Sequence, residues 1–173
     1  MKTAVVVLNW NTKEYLRAFL PGLIASCERA GKDADGSPKA EVIVADSGST
    51  DGSREVLAEE FPAVRTVLLD RNYGFTGGYN RAFEELEARG VQAGYYILLN
   101  SDIDVSPGWL EDLEHWMDSH PECGICGPKL HGLICRDGAY VRTERFEYAG
   151  AAGGLLDRYG FPYCRGRIRK KVE

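Results

Sequence analysis

The sequence predicts an α/β fold: a doubly wound, mostly parallel sheet with helices on both faces. Three observations carry that prediction. Short, wholly apolar, β-branched runs recur along the chain, as expected of strands buried on both sides. They alternate with longer segments whose apolar residues return at helical spacing. Polar, glycine-rich or acidic stretches follow the strands, at the sheet edge where ligands of parallel sheets sit.

Ala4 to Leu8 reads as the first buried strand. Asn11 or Thr12 is positioned to cap a helix whose Tyr15, Leu16, Phe19, Leu20, Leu23, Ile24 and Cys27 share one face, with Pro21 expected to bend or end it. Ala30 to Lys39 is a polar loop. Glu41 to Ala45 is the second strand, and Asp46 to Gly52 is a turn into a helix through Val56, Leu57 and Phe61. Val64 to Leu69 is the third strand. Asn72 to Asn80 reads as a glycine-rich loop entering a helix that carries Tyr79, Ala82, Phe83 and Leu86. Tyr95 to Leu99 is the fourth strand, and Ser106-Pro107 is expected to open a helix with Trp109, Leu110, Leu113, Trp116 and Met117. Beyond Pro128 the periodicity fades, and short strands or a hairpin are expected.

The 173 residues suffice for one domain with a proper core, at 44% apolar and 27% charged. A net charge of −5 argues against binding along nucleic acid, which rewards a basic surface. The opening apolar run is too short for a signal peptide's core or a membrane span, so a cytoplasmic protein is expected. Five scattered cysteines suit reduced thiols. Cys123 and Cys126 form a CxxC without a second pair at metal spacing, and the plain reading is a small apolar strand, Gly124 to Gly127, beside them.

The strongest chemical feature is Asn100-Ser101-Asp102-Ile103-Asp104 at the end of the fourth strand. In extended chain, residues 100, 102 and 104 would point one way, crowding an amide and two carboxylates. Close carboxylates call for a cation, and Mg²⁺ or Mn²⁺ binds through one or two carboxylates plus substrate phosphates. Asp102 and Asp104 are therefore the metal candidates, although Asp104 also fits beside a helix N-terminus. Asp46, ending the second strand, suits a base N–H or ribose hydroxyl, or else a helix cap or turn. Trp10 either stacks on a nucleobase or roofs the core. The Gly74 to Gly78 stretch allows close backbone approach but matches neither a Walker loop nor a GxGxxG fingerprint.

In order, Val5-Val6-Val7-Leu8-Asn9-Trp10-Asn11, Val42 to Ser53, Asn72 to Asn80 and Leu98-Leu99-Asn100-Ser101-Asp102 resemble the motifs of family 2 glycosyltransferases, which have the Rossmann-like nucleotide-diphospho-sugar transferase fold. The Asn-x-Asp variant is similar to that of bacterial rhamnosyltransferase-like members. The resemblance is strong over about residues 3 to 130 and looser after that. It implies that Leu8 and Trp10 lie near the nucleobase, Asp46 at the base or ribose, and the Gly77-Gly78-Tyr79-Asn80 turn near the ribose or diphosphate. It puts Asp102 on the metal, and Asn11 and Ser101 join the donor-binding set.

The resemblance implies a sugar transferase that takes a nucleotide-diphospho-sugar, needs Mn²⁺ or Mg²⁺, and delivers to a saccharide or lipid-linked acceptor in cell-surface polysaccharide synthesis, with inversion. Peripheral association of the whole protein with the inner face of a membrane goes with such an acceptor. Residues 1–130 form the nucleotide-sugar-binding domain on this reading, and residues 131–173 an incomplete start of the acceptor side. The catalytic base is expected beyond Glu173; Glu144, Glu147 and Asp157 qualify only by being acidic. The basic tail, Arg165 to Lys171, serves a phosphate-bearing acceptor or is simply solvated. Two other readings stay open: a sugar nucleotidyltransferase, for which Asn9 to Thr12 lacks an Arg/Lys-bearing phosphate loop, and a non-catalytic nucleotide-sugar-binding module.

Overall fold

The computed structural model describes residues 1–146, 154–156 and 158–164. Its chain divides into two compact units, Met1–Asp112 and Leu113–Glu173. The first contains β1 (Thr3–Asn9), α1 (Lys13–Arg29), β2 (Ala40–Ser47), α2 (Ser53–Glu60), β3 (Arg65–Leu69), α3 (Gly74–Ala88), β4 (Tyr95–Asn100) and the start of α4 (Trp109–Ser119). The strands lie in the order β3-β2-β1-β4 and all neighbours pair in parallel. Every strand therefore ends at the same edge, and the order reverses between β1 and β4.

Alternation along the strands builds two cores, because successive side chains leave opposite faces. Val5 and Val7 of β1 and Val42 and Val44 of β2 pack with Leu16, Leu20, Leu23 and Cys27 of α1, Leu57 of α2 and Leu110 of α4. Ala4 and Val6, Ile43 and Ala45, and Val67 and Leu69 of β3 pack with Tyr79, Ala82 and Leu86 of α3. Both faces of the central strands β1 and β2 are thus covered, as in a doubly wound fold, while Leu68 of β3 and Tyr96 and Leu98 of β4 stay exposed at the sheet's edges. Each fully buried Val, Leu or Ile side chain contributes about 1.5–3 kcal/mol, so the two cores outweigh any local propensity.

That dominance explains several departures from the sequence reading. Pro21 sits inside α1 instead of ending it. Its side chain is exposed, so the carbonyl it leaves unpaired one turn earlier faces water, while the buried stripe from Leu16 to Cys27 keeps the helix docked. Neither Asn11 nor Thr12 caps α1 with its side chain; Asp51 Oδ2 accepts from the Lys13 backbone N–H at 3.0 Å instead. The Gly74 to Gly78 stretch is the first turn of α3, not a loop. Gly78 is buried there, and a Cβ on it would lie 2.8 Å from Leu8 Cδ1. The last helix starts at Trp109, two residues after Pro107. Gly124 to Gly127 forms no strand, and Ile125 is 90% exposed, so no buried face exists to hold one.

In the second unit, β5 (His131–Arg136) and β6 (Ala139–Phe146) form an antiparallel hairpin. Its two-residue turn, Asp137-Gly138, takes positive φ at both positions, which suits the twist of the flanking strands. β7 (Gly154–Leu156) pairs antiparallel with β8 (Pro162–Cys164). Glu147, Asp157 and the basic tail lie outside the described residues. Cys123, Cys126 and Cys135 are free thiols. No described helix is long and apolar enough to cross a membrane.

The β2–α2 turn is locked by Gly48, whose φ is +75° and whose missing Cβ would lie 2.6 Å from the Arg71 backbone. Gly48→Ala adds a left-handed penalty of about 1–2 kcal/mol to a backbone clash of similar size, for a loss of about 3 kcal/mol. Gly36→Ala, at φ +83° with open space around it, carries only the first cost. Urea midpoints of the two variants check this, and equal losses would refute the clash.

Candidate functional site

The carboxyl edge of the sheet is organised around Asp46, the penultimate residue of β2, whose side chain is 0% exposed. A buried carboxylate is tolerated only when its lone pairs are filled. Asp46 Oδ1 accepts from Arg54 Nε at 2.6 Å and the Ser49 backbone N–H at 3.0 Å, and Oδ2 from Asn9 Nδ2 at 2.8 Å. Burial alone would push this carboxyl up, but hydrogen bonds from Ser49, Arg54 and Asn9 outweigh it and hold Asp46 below the ordinary carboxylate range. Arg54 also donates to the Leu69 carbonyl at the end of β3. One salt bridge therefore ties three neighbouring strand ends together.

The network continues toward β4. Thr12 Oγ1 donates to Asn9 Oδ1 at 2.5 Å and lies 2.7 Å from Ser101 Oγ, across the β1–β4 reversal. Asn11 takes a left-handed φ of 54°. Its backbone N–H donates to Ser49 Oγ at 2.9 Å and its Oδ1 accepts from the Thr50 backbone N–H at 2.7 Å. Tyr79 of α3 donates its hydroxyl to the Leu99 carbonyl at 2.8 Å, and burial raises that phenol to about 12. On the other side the Tyr73 backbone N–H donates to Ser47 Oγ at 3.2 Å. The four loops anticipated from sequence thus meet along one edge.

Within this frame the nominated residues separate into three groups. Leu8 is half-buried against Gly78, and Gly77 packs beside Tyr73 in the first turn of α3, so their close approaches serve packing. Asn11, Asp46 and Ser101 are held by the hydrogen bonds just described. Trp10, 51% exposed, and Asn80 face solvent. Of the two readings of Trp10, its exposure goes with a side chain held outside the core.

β4 ends at Asn100, and Ser101-Asp102 form a turn, so the extended alternation expected through residue 104 is not continued. Asp102 and Asp104 are both exposed, and Asp104 accepts from the Val105 backbone N–H at 2.9 Å. Among the described residues no cluster of three or more His, Cys, Asp or Glu side chains is arranged to hold a metal by itself. Two solvated carboxylates beside an amide still suit a hard cation that takes its remaining oxygens from a diphosphate and water. Glu144 is exposed on β6 of the second unit.

Sequence reading passed over Asn9, Thr12, Ser49 and Arg54, which complete the buried network. A signal existed for Arg54: a strand-end aspartate predicted to be buried needs a cation within reach, and Arg54 opens the following helix. It also passed over Arg71 and Arg81, whose guanidinium groups lie 4.9 and 5.4 Å from the Tyr73 ring centre. They add positive charge beside α3, while Tyr73 Oη donates to Asp70 at 2.8 Å.

Comparison with known proteins matches residues 4–169 to the glycosyl transferase family 2 model. An N-acetylglucosaminyl-diphospho-decaprenol L-rhamnosyltransferase of Mycobacterium tuberculosis is 28% identical over 157 residues, 87% of this chain and 47% of that protein. An undecaprenyl-phosphate 4-deoxy-4-formamido-L-arabinose transferase of Edwardsiella ictaluri is 32% identical over 108 residues, 60% of this chain and 30% of that protein. The chain thus spans less than half the length of these relatives. The crystal structure of S. aureus TarS 1–349 superposes with a TM-score of 0.52 at 25% identity, covering 70% of this chain and 33% of that one. The same TarS fragment in complex with UDP-GlcNAc also gives 0.52, at 21% identity over 77% of this chain and 39% of that one. The fold is that of the nucleotide-sugar transferases, and the chain belongs to glycosyl transferase family 2.

Proposed function

We propose that this chain binds the nucleotide-diphospho-sugar of a metal-dependent, rhamnosyltransferase-like enzyme that passes the sugar to a saccharide or lipid-linked acceptor, with inversion, in cell-surface polysaccharide synthesis. One juxtaposition carries the reading. At the reversal between β1 and β4, where parallel sheets bind ligands, Trp10 stands exposed on one loop and Asp102 and Asp104 on the next. An aromatic face for a base and two free carboxylates for a cation on its diphosphate are the needs of such a donor. The polyprenyl acceptors named in two relatives support the acceptor class.

Asp102 and Asp104 would hold Mn²⁺ or Mg²⁺, which when bound neutralises diphosphate charge and so eases departure of the nucleotide. Asn100 removes one charge from this set, leaving the cation to Asp102, Asp104 and the phosphates. Gly77, in the first turn of α3, would offer a ribose or diphosphate a helix N–H, and Asn80, nearly a turn further on, its exposed side chain. Asp46 has three of its roughly four acceptor positions filled, so a base or ribose takes at most the last one. Its main service to the donor is to hold the Asn9–Thr12 and Gly48–Asp51 turns in place.

A thermal-shift series with UDP, dTDP and GDP, with and without Mn²⁺, tests donor binding. A ligand held only by the native state stabilises it by about 2.7 kcal/mol at a hundred times its Kd. The expected result is stabilisation by a diphosphate that grows with Mn²⁺ and exceeds that from a triphosphate. Asp102→Asn should erase the metal-dependent part and leave the ligand-free Tm unchanged, because its carboxylate is exposed. Stabilisation insensitive to Mn²⁺, or to Asp102→Asn, would count against the site.

Asp46→Asn strands the Arg54 guanidinium and removes a buried charge pair. Because Arg54 is partly exposed, the loss falls at the low end of buried pairs, about 3 kcal/mol at pH 7. A carboxyl depressed in the folded state stabilises above its unfolded value and loses that contribution as pH falls through the folded one. The wild-type advantage over Asp46→Asn should therefore narrow once pH drops below about 4. Denaturant titrations at pH 7 and in acid measure it, and an advantage unchanged by acid would contradict the assignment.

A further inference from the structure

We propose that Asn9 and Thr12 are positioning residues for the Ser101–Asp102 turn, and that the proton order of their hydrogen-bond chain presents the Ser101 oxygen to a ligand only as an acceptor. The inference rests on the donor and cation reading above. It starts from atoms whose roles are forced. Paired with Arg54 at 2.6 Å, the Asp46 carboxylate can only accept. The Asn9 atom 2.8 Å from it is therefore the amide nitrogen, which turns Asn9 Oδ1 toward Thr12. That oxygen cannot donate, so the Thr12 hydroxyl proton points to it across 2.5 Å. A hydroxyl has one proton. At the 2.7 Å contact between Thr12 Oγ1 and Ser101 Oγ, the donor must then be Ser101.

The chain thus runs in one direction, from Ser101 through Thr12 and Asn9 to Asp46. Ser101 is buried and spends its proton inward, leaving only lone pairs for whatever binds beside Asp102. Those lone pairs favour a cation, a hydroxyl or an N–H, and oppose a bare phosphate oxygen. The contact also fixes the start of the Ser101–Asp102 turn against β1, so the Asp102 carboxylate leaves a backbone held on both sides, by Thr12 and by the Tyr79–Leu99 hydrogen bond. Neither Asn9 nor Thr12 needs to touch the donor to act on it.

The test uses the full chain and three variants. Thr12→Val removes the hydroxyl with little change of shape, Ser101→Ala removes the outer donor, and Thr12→Ser keeps the hydroxyl. Mn²⁺ is titrated calorimetrically in the presence of whichever of UDP, dTDP or GDP stabilises the wild type most; metal-free nucleotide affinity and ligand-free Tm are measured in parallel. Groups that orient a metal's ligands typically change affinity 10- to 100-fold, so Thr12→Val and Ser101→Ala should weaken Mn²⁺ binding by roughly tenfold or more. In Thr12→Val the metal-free nucleotide affinity should hold, and Thr12→Ser should restore the wild-type Mn²⁺ affinity. If Thr12→Val fails to fold, Ser101→Ala decides. A lowered Tm with wild-type Mn²⁺ affinity in Ser101→Ala or Thr12→Val overturns the positioning role. A wild-type chain whose diphosphate binding ignores Mn²⁺ removes the cation reading itself, and this proposal with it.

Discussion

The structure depends on one buried charge. A carboxylate at the end of β2 is held out of water and must be satisfied by groups from other elements, so Asn9 of β1, Ser49 of the following turn and Arg54 of α2 are all drawn to it. The cost of an unpaired ion in that position would be several kcal/mol. Satisfying it specifies more than stability. The Arg54 side chain also reaches the end of β3, and Asn9 passes the constraint to Thr12 and so to the loop after β4. A hydrophobic residue in place of Asp46 would pack, but it would give the four loops no common reference.

The sheet supplies the other half of the arrangement. Every pairing is parallel and the order reverses between β1 and β4, so the loops after these two neighbouring strands leave the same edge of the sheet. A reversal of this kind is where parallel sheets commonly take their ligands. The Thr12–Ser101 contact joins the two loops, and Trp10 is exposed on the first of them. An aromatic on a loop already held by hydrogen bonds would, under the proposed function, lose little further freedom on meeting a flat base.

The fold was legible because its signals are strong and local. Val5 to Val7 and Val42 to Val44 are continuous β-branched runs, and the helices between them bury stripes at helical spacing. Boundaries failed where tertiary packing overrode a local rule. Pro21 favours a bend or an end of the helix, yet inside α1 it costs little on a solvent face whose opposite stripe is buried. Gly74 to Gly78 was read as loop from composition; packing of Gly78 against Leu8 makes the same glycines the way a helix start approaches a strand. At the site, residue types were legible and partners were not. That Asp46 mattered followed from its position after a buried strand, but the identity of its donors depends on which turns fold back upon it. Asn9 and Arg54 carry no sequence mark of that pairing beyond the requirement that some cation be near.

The acidic residues of this edge therefore fall into two kinds, and the distinction bears on function. Asp46 and Asp51 are consumed by the fold: one takes a guanidinium and two N–H groups, the other caps α1 through Lys13 and α2 through Ser53. Hydrogen bonds hold both below the ordinary carboxylate range despite the opposing effect of burial, so they are anions whose lone pairs the fold has largely taken. Asp102 and Asp104 are placed on the same edge yet remain in solvent, with no basic side chain among the described residues paired to them. Among the described residues the strand-end acids on one side of β1 are thus paired by side chains, and the two after β4 are not. With Arg71 and Arg81 across the edge beside Tyr73, the charge pattern suits a ligand pair that is itself of mixed sign, a divalent cation joined to a diphosphate.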